Sequence, residues 1–452
     1  METVPTAPAV PRAIDGVPPG PGFPLPLQTL AMMTRQRAFL ARARRRFGPL
    51  FTVRVLGLGT LVMVADPELI KQTFQADPRT LHAGTESPLR TILGPNSMLG
   101  IDEEQHLEQR RLLLPPFKGQ RMRTYEPLIA EIAAAEIDTW PSGVEFASNE
   151  SMQRITLRAI LRALFGAEGS RLEQLERFVP PWTTLGSRLA TMTFLQHDLG
   201  RRSPWRRFLD LRRSIDLILN ELIAVAKADP GLPERPDVLA LMVLARHEDG
   251  QPMSNPEIRD ELVTMIAAGH ETTAHTLSWA IDRLRRHPEL LRRLVEEADA
   301  GGKALREATI REVQRARPVI SFAGRFVRRP YELGGYRLPI GTRVLLAANL
   351  THDDPALFAH PERFDPDRFL DVVPDTYAWI PFGGGRRRCI GATFAHMELD
   401  VVLRTILQRV ELQPTTDPGE RWKFRGVAWG PADGGQARVT RRAVARSRAI
   451  VA

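Results

Sequence analysis

The chain has 452 residues, 43% of them hydrophobic, which is ample for a large core, and at this length two or three domains would be ordinary. Its 62 Lys and Arg against 53 Asp and Glu give a formal net charge of +9, carried mostly by arginine and rarely in long blocks. That pattern favours solubility and acidic partners over a nucleic-acid-binding stripe, while a single cysteine excludes an internal disulfide and no apolar run reaches membrane-spanning length.

Residues 1–27 are dominated by proline, alanine and glycine, ending in Pro18-Pro19-Gly20-Pro21-Gly22-Phe23-Pro24. Such a composition buries little and reads as a tail with a stiff lead-in. It also lacks a charged stretch followed by an apolar core, so a cytoplasmic protein is expected. Thr29–Phe47 has helical spacing with arginines near its end, as a helix C-terminus prefers. Leu50–Val55 and Thr60–Ala65 flank Gly57-Leu58-Gly59, a hairpin signal, and Pro67–Gln75 returns to helix. His82–Gly100, rich in Gly, Pro, Ser and Thr, is expected to be a loop. His106 and Arg110 follow at i, i+4, on one face of a predicted helix. From Tyr125 to Lys227 helix follows helix, with breaks expected at Pro180-Pro181 and at His197-Asp198-Leu199-Gly200.

Ser254-Asn255-Pro256-Glu257 supplies a cap residue, a first-turn proline and an acid, and opens a long helix expected from Pro256 through Arg286. In its middle stands Ala268-Gly269-His270-Glu271-Thr272-Thr273, where glycine and two threonines lower helix propensity. Thr272 can return its hydroxyl to the Ala268 carbonyl, bending the helix and loosening its ladder. A locally opened helix with a hydroxyl and a carboxylate can hold water and pass protons. After a further helix, His287–Ala300, the segment Ala304–Ala316 carries Glu312 and Arg315, which can pair across one turn. Val319–Val327 and Arg343–Ala347 have the look of short strands, and Glu411–Val444 alternates weakly before and within the basic run Arg438–Arg448.

The only cysteine lies in Phe382-Gly383-Gly384-Gly385-Arg386-Arg387-Arg388-Cys389-Ile390-Gly391, followed by helical residues. A glycine-rich turn lets backbone N–H groups approach a bound group closely. A thiolate at a helix start is favoured by the dipole and by neighbouring cations. One sulfur is too few for a zinc knuckle or an iron–sulfur cluster, but it suffices as the axial ligand of a haem iron. Phe382, Gly385, Arg387, Cys389 and Gly391 together resemble the haem-binding signature of the cytochrome P450 family, Phe-x-x-Gly-x-Arg-x-Cys-x-Gly. The stretch Ala268–Thr273 is similar to that family's oxygen-activation signature, and Glu312-x-x-Arg315 to its Glu-x-x-Arg.

The resemblance runs from about Pro18 to Val444 and implies a mainly α protein, a cytochrome P450 fold with a large helical domain and small peripheral β-sheets. It implies one haem domain over residues 28–452, of the soluble bacterial type. The cofactor would be haem b (iron protoporphyrin IX) with Cys389 as its proximal ligand. Phe382, Gly383 and Gly391 would form the loop around the sulfur, and Ala268 would lie on the opposite side. His106, Arg110, Arg325 and Arg387 would offset the propionates. Thr272 and Glu271 would deliver protons during O2 activation. Glu312, Arg315 and Arg368 would form a buried triad bracing the cysteine loop, with Arg363 offering a second register. Ala267, Ile320, Phe322 and Val427 would line a pocket for a small lipophilic substrate, beneath an apolar cap including Trp182, Leu185, Leu189, Met192, Phe194 and Leu195. Electrons would come from a ferredoxin and an NAD(P)H-dependent ferredoxin reductase, because no flavin- or iron–sulfur-binding segment is visible. Neither nucleic acid nor a transmembrane anchor is implied. A peroxide-driven or isomerising relative would not need the intact Glu271-Thr272 pair, and a gas sensor would need a signalling domain that is not visible.

Overall fold

The helix Asn255–Leu284 is buried on almost every side, so it can sit only in the middle of the molecule. In this computed structural model, which describes residues 13–442 apart from 118, 120, 167, 168 and 201, it is the axis about which the other helices pack. The first twelve residues of the proline-rich tail, and the basic run past residue 442, lie outside the described residues. Ser254 accepts from the Glu257 N–H while the Glu257 carboxylate accepts from the Ser254 N–H, a capping box that fixes the helix start. Helix Ser148–Phe165 lies against it, and Gly269 permits the approach: a Cβ there would stand 3.1 Å from Ile160 Cγ1. The cysteine helix, Ala392–Arg409, is sandwiched between the central helix and Arg121–Ile137.

The largest sheet has five strands in the order Leu50–Val55, Gly59–Val64, Arg343–Ala347, Phe322–Val327 and Leu81–His82. The expected hairpin is its first pair, with Val53 opposite Leu61, and Val62 pairs in parallel with Val344. The remaining sheets among the described residues have two or three short strands.

Several local expectations are corrected. Thr29–Phe47 is not one helix but two, Leu25–Thr34 and Gln36–Phe47, broken at Arg35 (φ −137°). The first is uncharged and buries Gln28 and Met32, the second is arginine-rich and buries Leu40 and Ala43, and the break lets each turn its own stripe inward. Pro180-Pro181 does not interrupt Ser170–Thr191. Two prolines cost that helix two ladder bonds, but Val179 and Trp182 are buried on either side, and Trp182 stacks on Phe208 at 6.0 Å. Tertiary packing outweighs the local penalty. The span His82–Gly100 contains the short helix Leu89–Leu93, anchored by buried Ile92 and Leu93. The strand expected from Val319 begins only at Phe322. Within the lead-in, Ile14–Asp15 pairs with Tyr336–Arg337.

Candidate active site

The cysteine loop is closed by its own backbone, since the Cys389 N–H donates to the Phe382 carbonyl at 2.9 Å. Gly383 and Gly385 take φ of 65° and 61°, where a side chain is strained. A Cβ on Gly385 would stand 2.3 Å from the Phe74 carbonyl oxygen, so the loop is also pressed against helix Pro67–Gln75. Gly391 heads the cysteine helix, its N–H donates to the Cys389 sulfur, and no protein atom lies within 4 Å of where its Cβ would stand. Cys389 itself is exposed, although protein surrounds it on most sides. Burial pushes its thiol pKa up, against the pull of Gly391, Arg110 and Arg388. The thiolate expected from the cations and the helix dipole is therefore not favoured by protein groups alone. A bound metal cation reverses that balance, because a coordinating thiol is deprotonated outright.

In the middle of the buried central helix, Ala268 is exposed and Ala267 and Thr272 are only half-buried. The helix is continuous through the motif, so the opening expected there is absent. The hydroxyls of Thr272 and Thr276 donate to the Ala268 and Thr272 carbonyls at 2.9 and 3.0 Å, adding acceptor contacts to a ladder that stays closed. Glu271 is buried, which raises its pKa; a Ser187 hydroxyl at 3.4 Å and the charge of Arg425 oppose the rise. Ser187 and Arg425 come from distant elements and have no motif of their own, so nothing in the chain around them signalled the contact. His275, one turn on, has Nε2 3.8 Å from Glu271 and Nδ1 bonded to Asn149 Oδ1 at 2.7 Å.

The predicted basic residues gather as expected but are not equally free. His106, Arg325 and Arg387 border one small void. Arg325 is 7% exposed, donates to the Gly324 carbonyl at 2.7 Å, lies over Phe74, and has no carboxylate within ion-pair reach among the described residues. Burial brings its pKa down to about 10. His106 is held neutral, at about 3, by burial and by Arg387 and Arg110. Arg110 also lacks an ion pair among the described residues. Arg387 differs: it donates to the carbonyls of Met98 and Ile101 and pairs with Asp102, which was not foreseen. Asp102 in turn accepts from the amides of Ala83, Gly84 and Thr85. Most of that guanidinium is committed to holding the start of helix Glu103–Leu113.

Glu312 and Arg315 are fully buried and pair through two contacts of 2.7 Å. Arg368 Nε stands 3.3 Å from Glu312, and the Asp365 N–H donates to it at 2.9 Å. Arg363 contributes only its carbonyl, to Arg315, so the side chain in the triad is that of Arg368. Among the pocket candidates, Ala267 and Val427 pack on the main core, Ile320 beside Trp279, and Phe322 on the cluster under the first helices. The Trp429 N–H donates to the Val319 carbonyl, which holds the Val427 segment next to Ile320. Of the apolar cap, Trp182 and Leu189 are core, while Met192 and Phe194 are exposed.

The residues present fit a haem. A lone sulfur heads a helix, Gly391 beside it has open space where a Cβ would stand, and buried Arg325 and half-buried Arg110, neither with a carboxylate partner among the described residues, could receive propionates, which are costly to bury unpaired.

Comparison with known proteins agrees. The family model described as Cytochrome P450 matches residues 18–433. A protein of Mycobacterium tuberculosis provisionally named cytochrome P450 138 is 48% identical over 442 residues, covering 98% of this chain and 100% of its own. Another, provisionally named cytochrome P450 135B1, is 42% identical, covering 94% of this chain and 91% of its own. Among solved structures, retinoic-acid-bound cyanobacterial CYP120A1 superposes with a TM-score of 0.83 at 23% identity, covering 95% of this chain and 100% of that one.

Proposed function

The chain belongs to the cytochrome P450 family of haem-thiolate monooxygenases, with haem b as cofactor, and from that footing we propose that it inserts one oxygen atom of O2 into a lipophilic organic substrate using electrons from an external ferredoxin and its NAD(P)H-dependent reductase. The observation that carries the reading is Cys389, a lone exposed thiol at a helix start, in a chain whose buried central helix leaves Ala268 exposed in its middle. Among the described residues no helix is long and apolar enough to cross a membrane.

When bound, the haem supplies O2 reduction and oxygen transfer, and sulfur donation favours O–O cleavage. The chain's own residues do the rest. Cys389, as the thiolate, would hold the iron. Arg110, Arg325 and His106 would meet the propionates, while Arg387 chiefly fixes the helix that carries His106 and Arg110. The balance of the reaction requires two protons for each oxygen atom inserted, one atom of O2 leaving as water. Glu271, whose pKa burial raises, can carry a proton and recharge from the side of Ser187 and Arg425. Thr272 presents the hydroxyl that passes it on. Ala267, Ala268, Ile320, Phe322 and Val427 carry no charge, so a pocket that they lined would favour a lipophilic substrate.

Thr272→Ala is expected to bind haem and substrate as before but to divert electrons to peroxide. The measure is product formed per NAD(P)H consumed, and unchanged coupling would reject the role. The helix should survive, since its ladder is complete without the hydroxyl.

The ferredoxin is read to dock on the cysteine side, where a groove of about 680 Å3 is bordered by Phe382, Gly383 and Arg388, and by Arg311 and Lys303, both of which pair with Glu307. Arg388 is exposed and makes no ion pair among the described residues. Arg388→Glu is expected to slow reduction by an acidic ferredoxin by about an order of magnitude at low salt and to flatten its dependence on ionic strength. Rates identical to wild type at every salt concentration would remove the docking face from consideration.

A further inference from the structure

Away from the cysteine, a pocket of about 280 Å3 opens between the start of helix Gln36–Phe47, the end of the central helix and the end of helix Ala304–Ala316. Arg37, Arg283 and Arg317 line it, with Asp353, Glu362 and Phe364. Two of the arginines are accounted for. Arg37 pairs with Asp353 at 2.9 Å, and Arg283 with Asp282 at 2.5 Å. Arg317 is not. It has no carboxylate within ion-pair reach among the described residues, Nη1 donates only to the neighbouring Ala316 carbonyl at 2.8 Å, and buried Nε has no partner.

The plain alternative is that Arg317 is a cation–π clamp, since its guanidinium lies 5.3 Å from the Trp279 ring centroid and 5.4 Å from that of Trp422. That geometry satisfies the face of the guanidinium. Its N–H groups lie in the plane: Nη1 is spent on the Ala316 carbonyl, while Nη2 has no hydrogen-bond partner among the described residues. The surroundings also work against the charge: burial, Arg283 and Arg37 bring the Arg317 pKa down to about 9. A planar guanidinium with Nη2 unspent, in a pocket lined by two further arginines, suits an oxygen of a phosphate or carboxylate group.

The geometry points to a binding site for a small oxyanion in this pocket, a phosphate or carboxylate group held by the Arg317 guanidinium with Arg37 and Arg283 alongside. Phe364 and Pro361 give it an apolar wall, so the group can belong to a small organic molecule. Asp353 and Glu362 at the same pocket oppose a polyanion. Occupancy would bear on the buried triad, because Arg363, within the Pro361–Phe364 wall, offers its carbonyl to Arg315.

The test is equilibrium dialysis of the haem-loaded protein against labelled inorganic phosphate at fixed ionic strength, with glycerol 3-phosphate and succinate as competitors to separate free phosphate, phosphomonoester and carboxylate. One saturable equivalent per chain is expected, weakened about tenfold or more in Arg317→Gln, with the haem spectrum unchanged. Arg317→Lys keeps the charge but not the fork, and is expected to bind less tightly than wild type. Absence of saturable binding by phosphate and by both competitors would overturn the site. So would affinity unaltered in Arg317→Gln or, should that variant not fold, in Arg317→Lys.

Discussion

Cys389→Ser is expected to abolish monooxygenase activity and the red-shifted band that the reduced, CO-bound form of this family owes to thiolate ligation. No other cysteine exists to replace it. Serine is nearly isosteric, and the loop should keep its shape, because it is fixed by the Cys389 N–H to Phe382 carbonyl bond and by Gly385 against Phe74, neither of which uses the sulfur. What disappears is the soft anionic donor. A serine hydroxyl ionises far less readily than a thiol, and this position already penalises charge: burial raises even the thiol's pKa. The variant should therefore fold and may be compared directly by its CO difference spectrum after loading with haem. Retention of the red-shifted band would show that the ligand lies elsewhere.

What could be read from the sequence was whatever a few neighbouring residues determine together. The capping box at Ser254, the hairpin at Gly57-Leu58-Gly59 and the cysteine loop are local, and each recurs in the structure with its bounds shifted by little. The family resemblance carried the rest of the fold. Signals failed where distant packing decides. Nothing within the neighbouring sequence announces that Trp182 will stack on Phe208 and hold Pro180-Pro181 in a helix. The second layer of the site was invisible for the same reason: Ser187, Arg425 and Asp102 meet Glu271 and Arg387 only across the fold. The choice between Arg363 and Arg368 was likewise undecidable from spacing, since the two flank the same turn. Geometry separates them by function, giving one a carbonyl contact to Arg315 and the other a side-chain contact to Glu312.

Glu312→Gln is expected to be the most destabilising change outside the cysteine loop, on the order of 3–5 kcal/mol. The side chain keeps its shape, so no cavity forms and the effect is one of charge. Glu312 accepts from Arg315 twice at 2.7 Å and from the Asp365 N–H at 2.9 Å, with Arg368 at 3.3 Å. Both Glu312 and Arg315 are at 0% exposure. With glutamine, the Arg315 guanidinium stays buried without its counter-charge, and the amide turns a donor toward one of the groups that donated to the carboxylate. Arg315 also donates to the His352 and Arg363 carbonyls, so its displacement would loosen the segment leading to the cysteine loop. The expected result is a lowered denaturation midpoint together with a larger share of haem lacking thiolate ligation after mild heating. Arg368→Gln should do much less, because its side chain is 12% exposed and its single contact with Glu312 is longer. Equal losses from the two variants, or none from Glu312→Gln, would mean that the triad is not what braces the loop.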